Sequence, residues 1–159
     1  MLDTNEIIDY LNSVSPNSKI YVGCDSEVIR LKKRKGIKVR YSLVVVVHIN
    51  GSNGAKIFGM FENDEDTRYD SYKRKPQYRL MNEVYKVSEL YLKLSEAIPD
   101  KTIEVHLDLN PNEAHLSNKV VNQALGYVKG VCGVNALLKP DAWAASAAAD
   151  KWFTIMSRN

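Results

Sequence analysis

The longest apolar run in the sequence is Leu43–Val47, which lies in the middle of a predicted strand over residues 39–50. Five consecutive aliphatic residues do not alternate between core and solvent, so both faces of this strand are expected to be buried. The run is also far too short to cross a bilayer, which takes about 20 apolar residues. The sequence therefore places this strand in the protein interior.

Two further strands join this one through short turns. Residues 19–30 alternate, with Val22 and Cys24 on one side and Gly23 and Asp25 on the other. Gly36 marks the turn that follows. The segment 50–54 is rich in Asn and Gly, and residues 55–61 supply the next strand. Three strands joined in this way form an antiparallel meander.

The rest of the chain alternates between helical and strand patterns. A short helix capped by Asp3 or Thr4 precedes the meander. The elements predicted after it are a helix from Pro76 to about Ile98, a strand over 102–109, a helix with an apolar stripe over 116–131, a short fifth strand over 136–139, and an alanine-rich helix from Pro140 to near Met156.

The predicted fold is α/β, with a leading helix followed by the order βββαβαβα. Strands reached through a helix normally run parallel to their neighbour, so strands one, four and five form a parallel set. Strands two and three are antiparallel, which gives a mixed five-stranded sheet with flanking helices. A length of 159 residues fits a single domain over residues 1–159.

Composition narrows the class of protein. The chain is 45% hydrophobic and 26% charged, which is typical of globular proteins. Its first residues lack the pattern of a signal peptide. Cys24 and Cys132 lack metal-ligand spacing, so free thiols in a cytoplasmic protein are expected. The P-loop, GxSxG and HExxH motifs are absent from the sequence, which argues against P-loop ATPases, α/β-hydrolases and zincins.

Positive charge is concentrated around the first turn of the meander. The basic cluster consists of Arg30, Lys32, Lys33, Arg34, Lys35, Lys38 and Arg40. Lysines at a hairpin tip often serve solubility and protect a sheet edge. Such a cluster also binds phosphate groups, so a nucleic-acid-binding role is the other interpretation.

Asp25 and Asp108 lie near the carboxyl ends of strands one and four, and the alternation of side chains along each strand places both on the same face of the sheet. Parallel neighbours are about 4.8 Å apart, so the two carboxylates are expected to share a cation. Mg²⁺ or Mn²⁺ suits an open site of this kind. The alternative is that both residues simply end strands beside turns.

Glu83, Asp141 and His106 are further candidates for the same site. Glu83 lies on the edge of the apolar stripe of its helix and could instead pair with Arg79 at i−4. Asp141 follows strand five at the same sheet edge, although Pro-Asp before a helix is also typical of an N-cap. His106 shares the face of Asp108 and could shuttle protons or be structural. Asp150 would be about 13 Å from Asp141 along a helix and is not expected to join the same cluster.

Five spaced strings carry a resemblance to a known family. They are IYVGCDSE (20–27), RLMNEV (79–84), VHLDLN (105–110), GYVKG (126–130) and KPDAWAAS (139–146) followed by Ala149 and Asp150. Together they resemble the YkuK-like family of ribonuclease H-like proteins over about residues 19–152. The resemblance implies a ribonuclease H-like fold for the single domain.

The resemblance also implies a metal site. In the ribonuclease H-like superfamily, acidic residues on the first and fourth strands hold two metal ions, and these positions match Asp25 and Asp108. The acidic residue at the start of the last helix matches Asp141, and the glutamate of the first long helix matches Glu83 loosely. The Asp-Ser-Glu sequence after strand one departs from the pattern.

The expected function is phosphodiester hydrolysis of RNA or DNA at a two-metal carboxylate site. Arg30, Lys32, Lys33, Arg34, Lys35 and Lys38 would grip the nucleic-acid backbone. The alternative is a ribonuclease H-like module that binds nucleic acid or assembles without turnover. An ATPase or sugar kinase of the actin-like fold is disfavoured because glycine-rich phosphate hairpins and a second lobe are absent.

Overall fold

The computed structural model describes residues 3–30, 37–51, 54–66, 76–112 and 118–157. The strands and α-helices of these residues occur along the chain as α1 (Thr4–Ser13), β1 (Lys19–Arg30), β2 (Ile37–His48), β3 (Ala55–Asp66), α2 (Pro76–Ala97), β4 (Ile103–Leu107), α3 (Asn118–Cys132) and α4 (Ala149–Ser157). A single 3-10 turn, Ile49–Gly51, joins β2 to the next strand. None of the described helices is long and apolar enough to span a membrane.

The strands form one mixed sheet in the order β3-β2-β1-β4. The first three strands pair antiparallel, as the meander predicted. β4 reaches the sheet through α2 and runs parallel to β1, with Gly23 opposite His106 and Cys24 opposite Leu107. The α/β class, the meander and the parallel pairing of β1 with β4 are therefore confirmed.

The apolar run of β2 is buried on both faces of the sheet, as predicted. Leu43, Val45 and Val47 belong to one hydrophobic cluster. Val44 and Val46 point the other way and belong to a second cluster. Burial of alternate side chains in two separate cores explains why this strand has no polar face.

Helices cover the two faces of the sheet unequally. The larger core receives Ile7 and Leu11 from α1, Val84 and Val87 from α2, and Val128 from α3. The smaller core is closed by alanines of a π-helical turn, Ala144–Ala148, and by Ala149 at the start of α4. Small side chains let the turn approach the sheet closely.

The predicted fifth strand is reduced to a single bridge in the described residues. Leu137 lies parallel to β4 opposite His106, where its N–H donates to Val105 and its carbonyl accepts from Leu107, both at 2.9 Å. The chain then turns away, because the N–H groups of Asp141 and Ala142 both bond to the Leu138 carbonyl. The five-stranded sheet is thus four strands extended by one bridge.

Candidate functional site

Asp25 and Asp108 lie just beyond the last parallel pair of β1 and β4, while β1 itself continues to Arg30 in its pairing with β2. The register pairs Cys24 with Leu107, so Asp25 and Asp108 are the next residues of β1 and of the segment that leaves β4. Both side chains are partly buried. The structure therefore brings together the two carboxylates that the strand pattern placed at one edge of the sheet.

The surroundings of Asp25 disfavour its negative charge. The pKa of Asp25 is raised from 3.8 to about 6, first by burial and then by the charge of Asp108 and a hydrogen bond with that carboxylate. The Ser26 N–H, which donates to Asp25 Oδ1 at 2.8 Å, and the positive charge of Arg79 act in the opposite direction. A carboxyl pair of this kind is relieved by a bound cation.

Ser26 connects the end of β1 to α2. Its hydroxyl donates a short hydrogen bond to Glu83 Oε1. Arg79 Nη1 donates to Ser26 Oγ at 2.6 Å and to the Ser26 carbonyl at 3.0 Å. The same nitrogen is 3.7 Å from Glu83 Oε1. The i−4 partner considered for Glu83 is therefore present, and the pair is tied to the residue beside Asp25.

Glu83 is buried, with a relative exposure of 4%. Its pKa is raised from 4.5 to about 8, chiefly by burial and also by the charges of Asp25 and Asp108. The Ser26 hydrogen bond and the charge of Arg79 lower it. Glu83 is thus electrostatically coupled to both aspartates, and without a bound cation it is mostly protonated at neutral pH.

Lys139 faces Asp108 from the segment beside β4. Its Nζ is 2.5 Å from Asp108 Oδ1, with side-chain exposures of 35% and 18%. This oxygen is buried and accepts no hydrogen bond from the described residues. The ammonium therefore approaches it outside hydrogen-bonding geometry, and the contact is electrostatic.

Asp141 follows the bridge at Leu137. Asp141 is exposed in a turn, where its N–H donates to the Leu138 carbonyl at 2.9 Å and its carbonyl accepts from the Trp143 N–H at 3.1 Å. Asp150 lies in α4, and its side chain is outside the described residues.

His106 is fully buried and holds the last helical region against the sheet. Its Nδ1 accepts from the Ala144 N–H at 3.1 Å, and its Nε2 is 3.3 Å from Glu104 Oε2. Burial lowers the pKa of His106, while Glu104 raises it. Acceptance at Nδ1 requires that this nitrogen carry no proton, so these contacts give His106 a structural role.

Asp25 and Asp108 are the two carboxylates that the sheet brings together. In the part of the chain that the structure describes, no group of three or more His, Cys, Asp or Glu side chains is arranged to hold a metal ion. Asp25 and Asp108 remain the pair with the oxygen donors that Mg²⁺ and Mn²⁺ prefer. The raised pKa of Asp25, to which the charge of Asp108 contributes, fits a nearby cation.

The basic cluster is described only at its margins. Lys32, Lys33, Arg34 and Lys35 lie outside the described residues, as does the side chain of Arg30. Lys38 is partly exposed on β2. Arg40 lies over the Phe61 ring at 5.4 Å and donates to Asn63 at 3.4 Å. Arg30, which pairs with Ile37 at the end of β1, comes five residues after Asp25 in the same strand.

A comparison with known protein families agrees with this architecture. A family model described as Ribonuclease H-like matches residues 4–154. The chain belongs to this family. The match confirms the resemblance carried by the five sequence strings and indicates a nucleic-acid-related function. Comparison with curated proteins and with solved structures gives no match.

Two residues that contact these carboxyl groups were not singled out by the sequence pattern. Ser26 was noted only as part of an unusual Asp-Ser-Glu sequence, and Lys139 only as part of a string. The position of Lys139 at the end of a strand expected beside β4 was a usable signal. Its proximity to Asp108 depends on the bridge at Leu137, which only the folded chain shows.

Proposed function

We propose that this ribonuclease H-like protein hydrolyses phosphodiester bonds in RNA or DNA with Mg²⁺ or Mn²⁺ held by Asp25 and Asp108. The observation that carries the proposal is the placement of these two carboxylates directly after Cys24 and Leu107, the last parallel pair of β1 and β4, where the charge of Asp108 helps to raise the pKa of Asp25. Family membership supplies the nucleic-acid context.

The residues around the pair have distinct roles in this proposal. Asp25 and Asp108 bind the cation, which when bound activates water and stabilises the leaving oxygen. Glu83 contributes negative charge to the same pocket, and Ser26 and Arg79 keep its carboxyl group oriented. Asp141 is retained as a proposed ligand through the family resemblance alone.

The remaining parts of the proposal concern the whole protein. A single domain over residues 1–159 is proposed to act in the cytoplasm, in line with two free thiols. Arg30, Lys32, Lys33, Arg34, Lys35 and Lys38 are proposed to bind backbone phosphates near the catalytic end of β1.

A non-catalytic module that binds nucleic acid is the second candidate. It is favoured by the absence of a three-ligand group among the described residues. It is also favoured by the ion pairs that already give Glu83 and Asp108 a cationic partner. In this case the carboxylates would serve stability, and turnover would be absent.

Asp25→Asn separates the two candidates, with Asp100→Asn in an exposed turn before β4 as the matched control. The assay compares cleavage of labelled single-stranded RNA, duplex DNA, RNA–DNA hybrid and branched DNA in Mg²⁺ and in Mn²⁺. We expect cleavage by wild type and Asp100→Asn, and a loss of orders of magnitude in Asp25→Asn. Mn²⁺ should raise the melting temperature of the first two proteins only.

Binding of these substrates by wild type without cleavage, together with a melting temperature that Mn²⁺ leaves unchanged, would establish the non-catalytic module. Equal cleavage by all three proteins would remove Asp25 from the proposed site.

A further inference from the structure

A fixed cation already occupies one side of the proposed metal site. Lys139 Nζ is 2.5 Å from Asp108 Oδ1, and an Mg²⁺ ion on that oxygen would lie about 2.1 Å from it. An ammonium this close to Oδ1 repels a divalent ion and competes with it for that oxygen. While Lys139 remains in place, Oδ2 of Asp108 is therefore the oxygen more open to a metal ion.

The backbone presents Lys139 to Asp108 from a constrained position. The Lys139 N–H donates to the Leu109 carbonyl at 3.1 Å, and the bridge at Leu137 is held by two hydrogen bonds of 2.9 Å. The N–H of Asp141 bonds back to Leu138 immediately afterwards. The backbone of Lys139 is therefore held by hydrogen bonds to β4, to the residues just after it and within the following turn. This limits where the ammonium can lie.

We infer that this site takes one divalent ion, between Asp25 and Asp108, and that the ammonium of Lys139 replaces a second ion. The inference rests on the proposed metal-dependent function and departs from the two-metal arrangement that the resemblance implied. Lys139 stabilises the charge of Asp108 and of a bound phosphodiester without being a metal ligand.

The charges of the described residues support a single ion. Asp25, Glu83 and Asp108 are three carboxylates that influence one another, and Arg79 and Lys139 are the cations paired with two of them. With every group ionised, the set carries one net negative charge. One divalent ion and one phosphodiester bring the sum to zero, whereas a second divalent ion would leave two positive charges in a partly buried pocket, which is unfavourable.

The ligands that a second ion would need are also engaged. Glu83 Oε1 accepts from Ser26 and faces Arg79. A second ion at Asp108 would therefore have to displace Lys139 and find other oxygen donors.

The number of Mn²⁺ ions that the protein binds tests the inference directly. Calorimetry counts the bound ions, and electron paramagnetic resonance detects two Mn²⁺ ions that lie close enough to couple. Lys139→Met removes the ammonium, Lys139→Arg retains positive charge, and Lys101→Met is a control before the other end of β4. We expect one Mn²⁺ in wild type, Lys139→Arg and Lys101→Met. Lys139→Met should bind two, with the exchange-coupled signal of ions about 4 Å apart.

Three other outcomes would each contradict the inference, the proposed function or both. Two ions in wild type would overturn the inference and leave the proposed function intact. One uncoupled ion in Lys139→Met would show that Lys139 does not replace an ion. No Mn²⁺ bound by wild type, with no cleavage of any substrate, would instead refute the proposed function, and the inference with it.

Discussion

The buried imidazole of His106 shows how a residue on the face of a candidate site can have a structural task. Its Nδ1 accepts the Ala144 N–H, so it fastens the π-helical turn to β4. His106→Ala would leave this buried donor without an acceptor, and we expect the free energy of unfolding to fall by roughly 1–3 kcal/mol. Urea denaturation measures this, and cleavage per folded molecule should be retained.

The same residue gives acid sensitivity. The pKa of His106 is lowered by burial, so its contribution to stability is present above the ordinary value and is lost as the pH falls through the lowered value. His106→Ala should show a weaker loss of stability on acidification than wild type. A variant that stays as stable as wild type and loses only activity would give His106 a catalytic role.

The pH dependence of stability expected from Asp25 is opposite to that expected from His106. Its pKa is raised from 3.8 to about 6, so the folded state is favoured while Asp25 is protonated and loses stability as the pH rises through this interval. In metal-free buffer, Asp25→Asn should gain on the order of 2–3 kcal/mol relative to wild type between the two ends of that interval.

Denaturant unfolding at several pH values with a chelator present measures this difference. Added Mn²⁺ should then reverse the ranking, because the ion stabilises only the protein that binds it. If the stability difference between Asp25→Asn and wild type did not change with pH, the pKa of Asp25 would not be raised in the folded protein.

At the scale of elements, α4 packs on β3 through one glycine. A Cβ built on Gly59 would overlap the Trp152 indole, so this position accepts no side chain without moving the ring. Gly59→Ala should reduce the free energy of unfolding by about 1–3 kcal/mol and change the Trp152 fluorescence.

Gly126→Ala is the matched control for this substitution. Gly126 lies within α3, and a Cβ there meets no atom within 4 Å, so alanine should stabilise the helix by about 0.5–1 kcal/mol. Equal effects of the two substitutions would exclude the Gly59–Trp152 contact as a determinant of stability.

The hairpin between β1 and β2 carries the prediction about nucleic acid. Replacing Lys32, Lys33, Arg34 and Lys35 with serine should weaken binding and reduce the slope of log K against log salt by about 0.7–0.9 for each phosphate that is no longer neutralised. Fluorescence anisotropy across a salt series measures the slope, and circular dichroism checks that the fold is retained. An unchanged slope would assign the cluster to solubility.

At the scale of the whole molecule, a single domain should unfold cooperatively. The two hydrophobic clusters lie on opposite faces of one sheet, and β2 contributes side chains to both. Loss of either core therefore removes support from the other. Trp143 and Trp152 pack against the smaller cluster, so their fluorescence reports that face, while far-ultraviolet circular dichroism reports the whole chain. Coincident urea transitions are expected, and two separate transitions would contradict a single domain.

The amino-acid sequence by itself determined the layers and the sheet pairing. The run at Leu43–Val47 predicted burial on both faces, and the bounds of β1 at Lys19 and Arg30 agree with its alternating pattern. The start of α2 at Pro76 was also predicted. These features depend on local periodicity and on the right-handed crossover rule, which act wherever the chain lies. The same reasoning placed Asp25 beside Asp108.

Only the tertiary structure decided which charges surround that pair. The contact of Lys139 with Asp108, the link from Ser26 to Glu83 and the burial of His106 against Ala144 join residues far apart in sequence. Periodicity states which face a side chain occupies but not what packs above it. The predicted fifth strand was not confirmed for the same reason, since the turn after Leu138 ends the pairing with β4 after one bridge. Electrostatics at a sheet edge depends on distances of a few ångströms, and these are set by the packing of the whole chain.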